Sequence, residues 1–552
     1  MRAILVFLAF VQIFTEIKSQ NEDQRDVEWS ENDPRWETRI PNWWEEDTFI
    51  PPVGPIEERA GEFWTEFGQN VLEQKISQKQ NLNKAKNLIL FIGDGMGLST
   101  LMATRSYIDD VQTELSFEKF PYSGLAKPYC INYQVPDSAC TGTALMTGVK
   151  NNYGTIAVDG NVNLRNCTAQ LDSSTHLHSL LKYAQDAGKS TGIITTTRIT
   201  HATPASTYAK TASRYWESNE NTPSECEDIA HQLIHGEIGS RLDVIMGGGR
   251  RHFLPDTQGG YRTDNRTLIN EYLQIQQNNN KMARYVENRT DLLAIDEAST
   301  DKILGIFAHS HLEYKLLSDS IDQPTLMEMT TKALQILKKN ENGFVLVVEG
   351  GRIDTAHHDT LAQLALHETV EFHKTVDFVR SNTDEDNTLI VVTSDHSTVM
   401  TVGGYMPRGY NILGPGDYSR NDRMWFYTLS YANGPGHSDH FQATGGRVNP
   451  QGQRYFDPYF RRPATVPEDE ETHAGEDVGV FASGPYAHLF TGVYEQSYIN
   501  HAMVYATCVG PKSYKKNPQC TDSVDSSSMK CTSVWMFSVL LCFIVTFKLN
   551  LM

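Results

Sequence analysis

Six short runs of consecutive apolar residues constrain the fold of this chain more than any other feature of its sequence. They lie at Asn87–Ile92, Ser190–Thr195, Asp243–Met246, Phe344–Val348, Thr388–Thr393 and Asp477–Phe481. A strand with one face in water alternates apolar and polar residues, whereas a strand covered on both faces is apolar throughout. The runs therefore predict an α/β fold with a mainly parallel central sheet flanked by helices.

Acidic residues come directly after three of these runs. Asp94 follows the first run closely, Glu349 follows the fourth and Asp395 follows the fifth. Ligands bind outside the carboxyl ends of the strands in open α/β sheets, so we expect these carboxylates to share one site. Histidines stand near two of them, which favours a metal site over three independent helix caps.

The spacing of these residues indicates which ions they suit. Asp354 and His358 are four residues apart, so on a helix they would share one face and could bind one ion, although a surface Asp–His pair has the same spacing. Asp395 and His396 could hold a second ion. Mixed carboxylate and imidazole ligands suit zinc, whereas the other two strand-end carboxylates with a hydroxyl would suit magnesium.

A further candidate lies where the chain enters a predicted helix. Pro136, Asp137 and Ser138 are typical of a helix start, and the helix is predicted to reach Met146 and to stop at Gly148. The Ser138 hydroxyl would then stand at a positive helix end, which suits phosphate or another oxyanion. Taken alone, the pattern is more typical of simple capping.

Charge and the chain ends predict a secreted protein. The chain carries 48 basic and 68 acidic side chains, a formal charge of -20, which argues against nucleic-acid binding. Residues 1–19 fit a signal peptide, and residues 521–552 fit a spacer and a glycosylphosphatidylinositol (GPI) anchor signal with Asp525 as the attachment residue. A transmembrane helix is the alternative for that tail. Either way, we expect the protein at the extracellular face of the plasma membrane.

The rest of the chain fits this compartment. Residues 20–56 read as an acidic N-terminal arm without assigned function, and residues 57–79 predict a surface helix. Glycosylation sequons occur at Asn166, Asn265 and Asn288. Six cysteines remain outside the tail, and an even number outside the cell predicts disulfides whose pairing does not follow from the residues alone.

Six strings in a fixed order resemble the family of animal membrane-anchored alkaline phosphatases. They are Asn87–Gly97, Val135–Ala139, Thr195–Ala205, Val348–Asp354, Thr393–His396 and Glu471–Asp477. The likeness extends over residues 57–520. It implies one catalytic domain with the alkaline phosphatase fold, a crown-like insertion at residues 403–470, and a homodimer that meets at this crown.

The resemblance also implies a site for two zinc ions and one magnesium ion. The first zinc would bind Asp354, His358 and His473, the second Asp94, Ser138, Asp395 and His396, and magnesium Asp94, Thr203 and Glu349. Ser138 would be the nucleophile, Arg214 would clamp two phosphate oxygens, and His201 would lie near the magnesium. The disulfides implied by the family pattern are Cys167 with Cys226 and Cys508 with Cys520.

The implied activity is hydrolysis of phosphate monoesters of many kinds through a phosphoserine, with an alkaline optimum. A phosphodiesterase or a sulfatase of the same fold would call for a nucleophile other than Ser138. A catalytically inactive surface protein would show a replaced ligand or a replaced Arg214, and every one of these positions is filled.

Departures from the family pattern affect two ions. Thr355 replaces a histidine of the mammalian members beside the first zinc, so an altered rate or metal affinity is expected rather than loss. Ala308 and Gln323 replace two carboxylates of an additional calcium site, which argues against calcium there.

Two local features stay open at this level. Cys140 replaces a glycine of the mammalian pattern, and it could pair with Cys130 or remain a buried thiol. The histidines within Gly434–Phe441 resemble a metal cluster, but the turn-forming composition favours a solvated loop.

Overall fold

The structure is a computed structural model that describes residues 54–511 and 517–520. The predicted signal peptide, most of the N-terminal arm, and the predicted spacer and anchor signal with Asp525 lie outside the described residues. What is described belongs to one compact unit that begins at Gly54. In this part of the chain, no helix combines the length and the apolar character needed to cross a membrane.

Short strands alternate with helices along most of the described chain. The strands are β1 (Asn87–Gly93), β2 (Tyr122–Lys127), β3 (Ser190–Arg198), β4 (Val244–Gly248), β5 (Ala283–Val286), β6 (Lys302–Ile306), β7 (Phe344–Gly350), β8 (Thr388–Ser394), β9 (Ser397–Thr398), β10 (Met400–Val402), β11 (Pro415–Ser419), β12 (Met424–Tyr427), β13 (Leu429–Gly434), β14 (Ala464–Pro467), β15 (His473–Ala474), β16 (Val478–Ser483) and β17 (Gly492–Glu495).

The helices cover the sheet or carry site residues. Their bounds are Gly61–Ser77, Leu98–Ile108, Ser138–Thr147, Cys167–Gln170, Leu180–Asp186, Ala202–Ala205, Ile229–His235, Leu268–Asn278, Arg289–Leu293, Leu326–Leu337, Arg352–His358, Ala362–Ser381, Gly436–His440 and Tyr498–Thr507. The helix predicted at residues 57–79 is confirmed, and none of its residues is buried.

A ten-stranded sheet forms the frame, in the order β17-β2-β16-β8-β1-β7-β3-β4-β6-β5. From β8 to β5 every neighbouring pair is parallel, whereas β16 is antiparallel to both β8 and β2. The predicted mainly parallel sheet is therefore confirmed. The run at residues 477–481 forms the reversed strand, because continuous apolar character reports burial on both faces and not direction.

Both faces of the sheet are covered by separate apolar cores. Along β1, Leu88, Leu90 and Ile92 face one core, while Ile89 and Phe91 face the other. Successive side chains of a strand point to opposite faces, so burial of both faces requires apolar residues at every position. Packing on both faces fixes where each central strand ends, and so fixes the positions of the residues that directly follow it.

Residues 403–470 form small sheets outside the main one. Within these residues β11 and β12 form a hairpin, and β13 and β14 form a three-stranded sheet with β10, which ends just before residue 403. The solvated loop predicted at Gly434–Phe441 is wrong. A short helix stands there, His440 is buried with Nε2 2.7 Å from the Arg461 carbonyl oxygen, and His437 stacks on Phe441. Ring packing overrides the turn-forming composition.

Candidate active site

The register of the central strands brings the strand-end carboxylates together. Ile92 of β1 is paired with Glu349 of β7 and with Thr393 of β8. Because these strands are parallel and end at the same level, Asp94 and Asp395 emerge beside Glu349 at one edge of the sheet. The strand-end carboxylates therefore meet at one edge of the sheet, as expected for parallel strands.

Asp94, Asp395 and His396 form what we call the inner cluster. All three are fully buried, and one ligand atom from each lies within 4.8 Å of the others. His396 Nε2 is 3.4 Å from Asp94 Oδ1 and 3.2 Å from Asp395 Oδ2. Burial, together with the neighbouring Asp395, raises the pKa of Asp94 well above its usual range, and burial raises the pKa of Asp395 to about 6.

Ser138 stands at the inner cluster because of how its helix starts. The Asp137 carboxylate accepts a hydrogen bond from the Cys140 N–H as the N-cap, and Gly148 ends the helix in the left-handed conformation, so the predicted helix is confirmed. Ser138 Oγ lies 3.1 Å from His396 Nε2. The hydroxyl thus faces both the first N–H groups of the helix and the inner cluster.

Asp354, His358 and His473 form what we call the outer cluster. The first two lie on the Arg352–His358 helix, and His358 Nε2 is 3.0 Å from Asp354 Oδ2. His473 reaches them from β15, with Nε2 3.2 Å from His358 Nε2 and 3.7 Å from Asp354 Oδ1. His357 points elsewhere, toward the hydroxyls of Thr100 and Tyr431.

Backbone carbonyls set the tautomers of the three clustered histidines. The Nδ1 atoms of His358 and His473 lie 2.8 Å from the carbonyl oxygens of Glu471 and Pro136. His396 Nδ1 lies 3.2 Å from its own neighbour's carbonyl oxygen. A carbonyl only accepts, so each neutral ring carries its proton on Nδ1 and turns an Nε2 lone pair to the site. Two such lone pairs 3.2 Å apart fit a cation between them.

A third group, the side cluster, consists of Asp94, His201 and Glu349. Thr195 and Thr197 donate hydrogen bonds to Oε2 of Glu349. Burial raises the pKa of Glu349 to about 7. Burial and the neighbouring Arg214 lower the pKa of His201 well below its usual range.

Orphaned polar atoms concentrate at this edge of the sheet. Among the described residues, buried atoms without a hydrogen-bond partner include both carboxylate oxygens of Asp94, Thr203 Oγ1, Glu349 Oε1 and Asp354 Oδ1. Unpaired buried carboxylate oxygens are costly unless a cation or a donor satisfies them. The donor set fits metal ions, with imidazole and carboxylate in the inner and outer clusters and oxygen only around Thr203 and Glu349.

Arg214 lies between two partners beside Ser138. Its Nη1 donates to Asp137 Oδ2 at 3.0 Å, and its Nη2 lies 3.0 Å from His201 Nε2. The contact with Asp137 was missed from the sequence, where that residue was interpreted only as a helix cap. No local signal could have found it, because the partners are 77 residues apart.

Gly95 separates the inner and outer clusters. Its N–H donates to Asp395 Oδ1 at 3.1 Å, and its φ is +65°. A Cβ on this residue would lie 2.6 Å from Asp354 Oδ1. Only glycine allows the chain to turn there and to let Asp354 approach.

Three disulfides occur within residues 54–511 and 517–520. Cys167 pairs with Cys226 and Cys508 with Cys520, as the family pattern implied. Cys130 pairs with Cys140, which answers the question that the sequence left open. One end of this third bridge, Cys140, lies two residues after Ser138 on the same helix.

The positions that replace calcium ligands are satisfied by protein atoms. The Gln323 amide donates to the Phe307 carbonyl oxygen at 3.2 Å and accepts from the Glu313 N–H at 2.9 Å, while Ala308 is buried. Thr355 turns away from the outer cluster, and its hydroxyl donates to the Arg352 carbonyl oxygen at 3.1 Å.

Comparisons with known proteins find similar sequences and a similar fold. Residues 85–509 match the family model described as alkaline phosphatase. The chain is 43% identical over 477 residues to the membrane-bound alkaline phosphatase of Bombyx mori, covering 82% of this chain and 86% of that protein. It is 42% identical over 480 residues to the tissue-nonspecific isozyme of alkaline phosphatase from Rattus norvegicus, covering 83% and 90%. The crystal structure of Thermus thermophilus alkaline phosphatase shares the fold, with a TM-score of 0.57 at 22% identity over 80% of this chain and 96% of that one.

Proposed function

This chain belongs to the alkaline phosphatase family and is an enzyme of that class, and from this premise we propose that it hydrolyses phosphate monoesters through a phosphoserine formed on Ser138. The proposal includes two zinc ions and one magnesium ion per subunit. The observation that carries it is the position of Ser138 Oγ, at a helix N-terminus and 3.1 Å from His396 of the inner cluster.

The donor sets support a distinct place for each ion. The inner cluster with Ser138 would hold one zinc ion, the outer cluster would hold the other, and Asp94, Thr203 and Glu349 would hold magnesium. Bound there, the ions would supply positive charge that favours the ionised serine and neutralises the oxygen of the leaving group. The orphaned oxygens and the inward Nε2 lone pairs support this assignment.

The reaction proceeds in two displacements at phosphorus. Ser138 Oγ attacks, the Oγ–P bond forms, and the bond from phosphorus to the ester oxygen breaks, so that the leaving group departs and takes up a proton. Water then attacks the phosphoserine, the P–Oγ bond breaks, inorganic phosphate leaves, and Ser138 regains its proton. The N–H groups at the start of the Ser138–Thr147 helix face the phosphoryl oxygens throughout.

Arg214 holds the phosphoryl group from the other side. Each of its two terminal nitrogens carries two hydrogens, and Asp137 and His201 each engage one of these nitrogens. One N–H on each nitrogen therefore stays available for two phosphate oxygens. Because these contacts address the phosphoryl group and not the leaving group, the proposal includes monoesters of many kinds.

We extend the proposal to location and assembly. The exposed apolar residues of the Gly61–Ser77 helix, among them Trp64, Phe67 and Leu72, support burial against a second subunit in a homodimer. A GPI anchor at Asp525 would tether the enzyme to the outer face of the plasma membrane. Release from membranes by a phosphatidylinositol-specific phospholipase tests the anchor, and sedimentation equilibrium tests the dimer.

Sugar chains are part of the same proposal. Asn166 and Asn265 are exposed and Asn288 is half-buried at the surface, so an oligosaccharide could be attached at each of them. Mass spectrometry after treatment with an endoglycosidase would locate the modified residues.

Trapping the intermediate tests the central claim. The enzyme loaded with zinc and magnesium is mixed with a radiolabelled aryl phosphate and quenched in acid. We expect covalent label on the wild-type chain, on the peptide that contains Ser138, and none on Ser138→Ala. Turnover by Ser138→Ala at the wild-type rate, or label on another residue, would contradict the proposal.

A further inference from the structure

We infer that the Cys130–Cys140 disulfide is a positioning device for the active site, which acts on Arg214 and on the outer-cluster ligand His473 through residues 136 and 137. The inference deepens the proposed function and rests on it, since it takes these two residues as parts of the site.

Two consecutive residues connect the disulfide to both site residues. The Pro136 carbonyl oxygen lies 2.8 Å from His473 Nδ1 and sets the direction of that ring. Asp137 Oδ2 accepts from Arg214 Nη1 at 3.0 Å. The segment that leads into Ser138 therefore orients one candidate zinc ligand and the phosphate clamp at once.

The Asp137 carboxylate is held by Arg214, by the chain at Gly154 and by the first helical turn at Cys140, one end of the disulfide. Its Oδ1 accepts from the N–H groups of Cys140 at 3.2 Å and Gly154 at 3.1 Å. Cys130 Sγ lies 3.9 Å from the same oxygen, a van der Waals contact because a disulfide sulfur has no hydrogen to donate. Both cysteines are buried, so the bridge forms the wall against which this carboxylate rests.

The loop that the disulfide closes has little other support on the side of His473. A cavity of about 390 Å³ opens between residues 127–134 and the chain at Gly475 and Asp477. The loop meets that chain closely at Gly475, where a Cβ would lie 3.3 Å from the Gln134 carbonyl oxygen. On its other side the loop is tied to residues 151–153 and 160: the Ile131 and Tyr153 N–H groups donate hydrogen bonds across this contact, the ring centroids of Tyr133 and Tyr153 lie 4.8 Å apart, and Ile131 packs against Gly160. Without the bridge, the 130–137 segment could move into the cavity and take the Pro136 carbonyl away from His473.

A matched pair of double variants tests the inference. The Cys130–Cys140 and Cys508–Cys520 bridges span 10 and 12 residues, so their loss relaxes loops of nearly equal length in the unfolded chain. Cys130→Ala/Cys140→Ala is compared with the control Cys508→Ala/Cys520→Ala. The readouts are the thermal midpoint, kcat and KM for an aryl phosphate, and the rate at which a chromophoric chelator takes zinc from the loaded enzyme.

The expected result separates positioning from stability. Both variants lower the thermal midpoint by similar amounts. Only Cys130→Ala/Cys140→Ala releases zinc faster and loses kcat/KM, each by about tenfold, as for other outer partners of metal ligands. We expect KM to rise and kcat to fall, because Arg214 binds the phosphate group in the ground state as well as in the transition state.

Two outcomes would overturn the inference. One is equal kcat/KM and equal zinc release in both double variants. The other is failure of Cys130→Ala/Cys140→Ala and of Cys130→Ser/Cys140→Gly to fold while the control folds, which would assign the bridge to the fold alone. The trapping experiment on Ser138 uses the intact disulfide, so a failure of the proposed function is recognised separately.

Discussion

The inner and outer clusters differ in depth and in charge. Asp94, Asp395 and His396 are fully buried and contain more carboxylate than imidazole, whereas the outer cluster contains two imidazoles and one carboxylate, and His358 keeps 26% of its side chain exposed. The inner ligands follow strands of the central sheet. The outer ligands come from a seven-residue helix and a two-residue strand.

This difference indicates two kinds of ion site. An ion in the inner cluster would be enclosed by the rigid frame and would neutralise buried negative charge, so it should exchange slowly and be required for the fold of the site. An ion in the outer cluster would contact water and mobile substrate, so it should exchange faster. The difference can be tested by changes that affect one cluster at a time.

The largest effect is expected from Asp395→Asn in the inner cluster. In the proposed mechanism the change removes the charge of a zinc ligand beside Ser138, and we expect this to cost several kcal/mol, or about 10³-fold in kcat/KM. Excess zinc should not restore activity, because the amide cannot replace the carboxylate in an enclosed site. Steady-state rates with and without added zinc measure this. Full recovery of activity in excess zinc would contradict the proposed difference in ion exchange between the inner and outer clusters.

In metal-free protein, the pH dependence of unfolding should distinguish Glu349 of the side cluster from His358 of the outer cluster. Glu349, which shares the buried edge with the inner cluster, keeps its proton up to about pH 7 when folded, whereas an unfolded glutamate loses it near about pH 4.3. The contribution of Glu349 to the free energy of unfolding therefore falls as the pH rises through that window, by about 4 kcal/mol. Glu349→Gln should remove this fall.

His358 of the outer cluster should act at higher pH. Burial lowers its pKa, but the Asp354 carboxylate outweighs burial and raises the pKa of His358 to about 10. The stabilisation is fully present below about pH 6.5, the usual histidine value, and is lost as the pH rises toward 10. Urea unfolding of metal-free wild type, Glu349→Gln and His358→Gln at several pH values measures both windows, and a shared window would contradict the prediction.

A smaller loss is expected when the outer cluster loses one ligand in the loaded enzyme. His358→Gln should lower zinc affinity by at least about 10- to 100-fold, the cost of losing even an outer partner of a ligand. Since this site contacts water, excess zinc should restore much of the activity. A zinc titration of activity measures the effect, and an unchanged zinc requirement would contradict the assignment of His358.

The smallest effect is expected at Thr355. Its hydroxyl bonds to the Arg352 carbonyl oxygen and accepts from Arg352 Nη1, so it does not face the outer cluster. Thr355→Val should change kcat less than about threefold, within the range of substitutions that touch no ligand. A larger change in kcat at saturating zinc would show that residues of the Arg352–His358 helix other than Asp354 and His358 also affect the activity of the outer cluster.

The sequence predicted the inner cluster better than the outer one for a physical reason. Asp94, Asp395 and His396 follow buried strands, and parallel strands that end together must bring such residues together. The helical spacing of Asp354 and His358 also reports a shared face. His473 and Arg214 have no local signature, since their partners lie far along the chain, and only the family resemblance pointed to them.

Some features of the fold could not be predicted from the sequence, for similar reasons. The strands β2, β5 and β17 are partly exposed and short, so they lack the continuous apolar pattern. The reversed direction of β16 depends on pairing, which a single run does not encode. The Cys130–Cys140 bridge depends on where a loop returns in space, and residue spacing left both alternatives open.

Gly95 has a consequence for the choice of metal. Its N–H holds Asp395 while its missing side chain admits Asp354, so the spacing between the two clusters is set by main chain and by the absence of one methyl group. Longer or shorter ligands cannot widen that gap, because the main chain itself is the spacer. On the proposed assignment of one zinc ion to each cluster, this fixed spacing would suit a pair of small ions, and a larger cation would have to displace the main chain at Gly95 to enter.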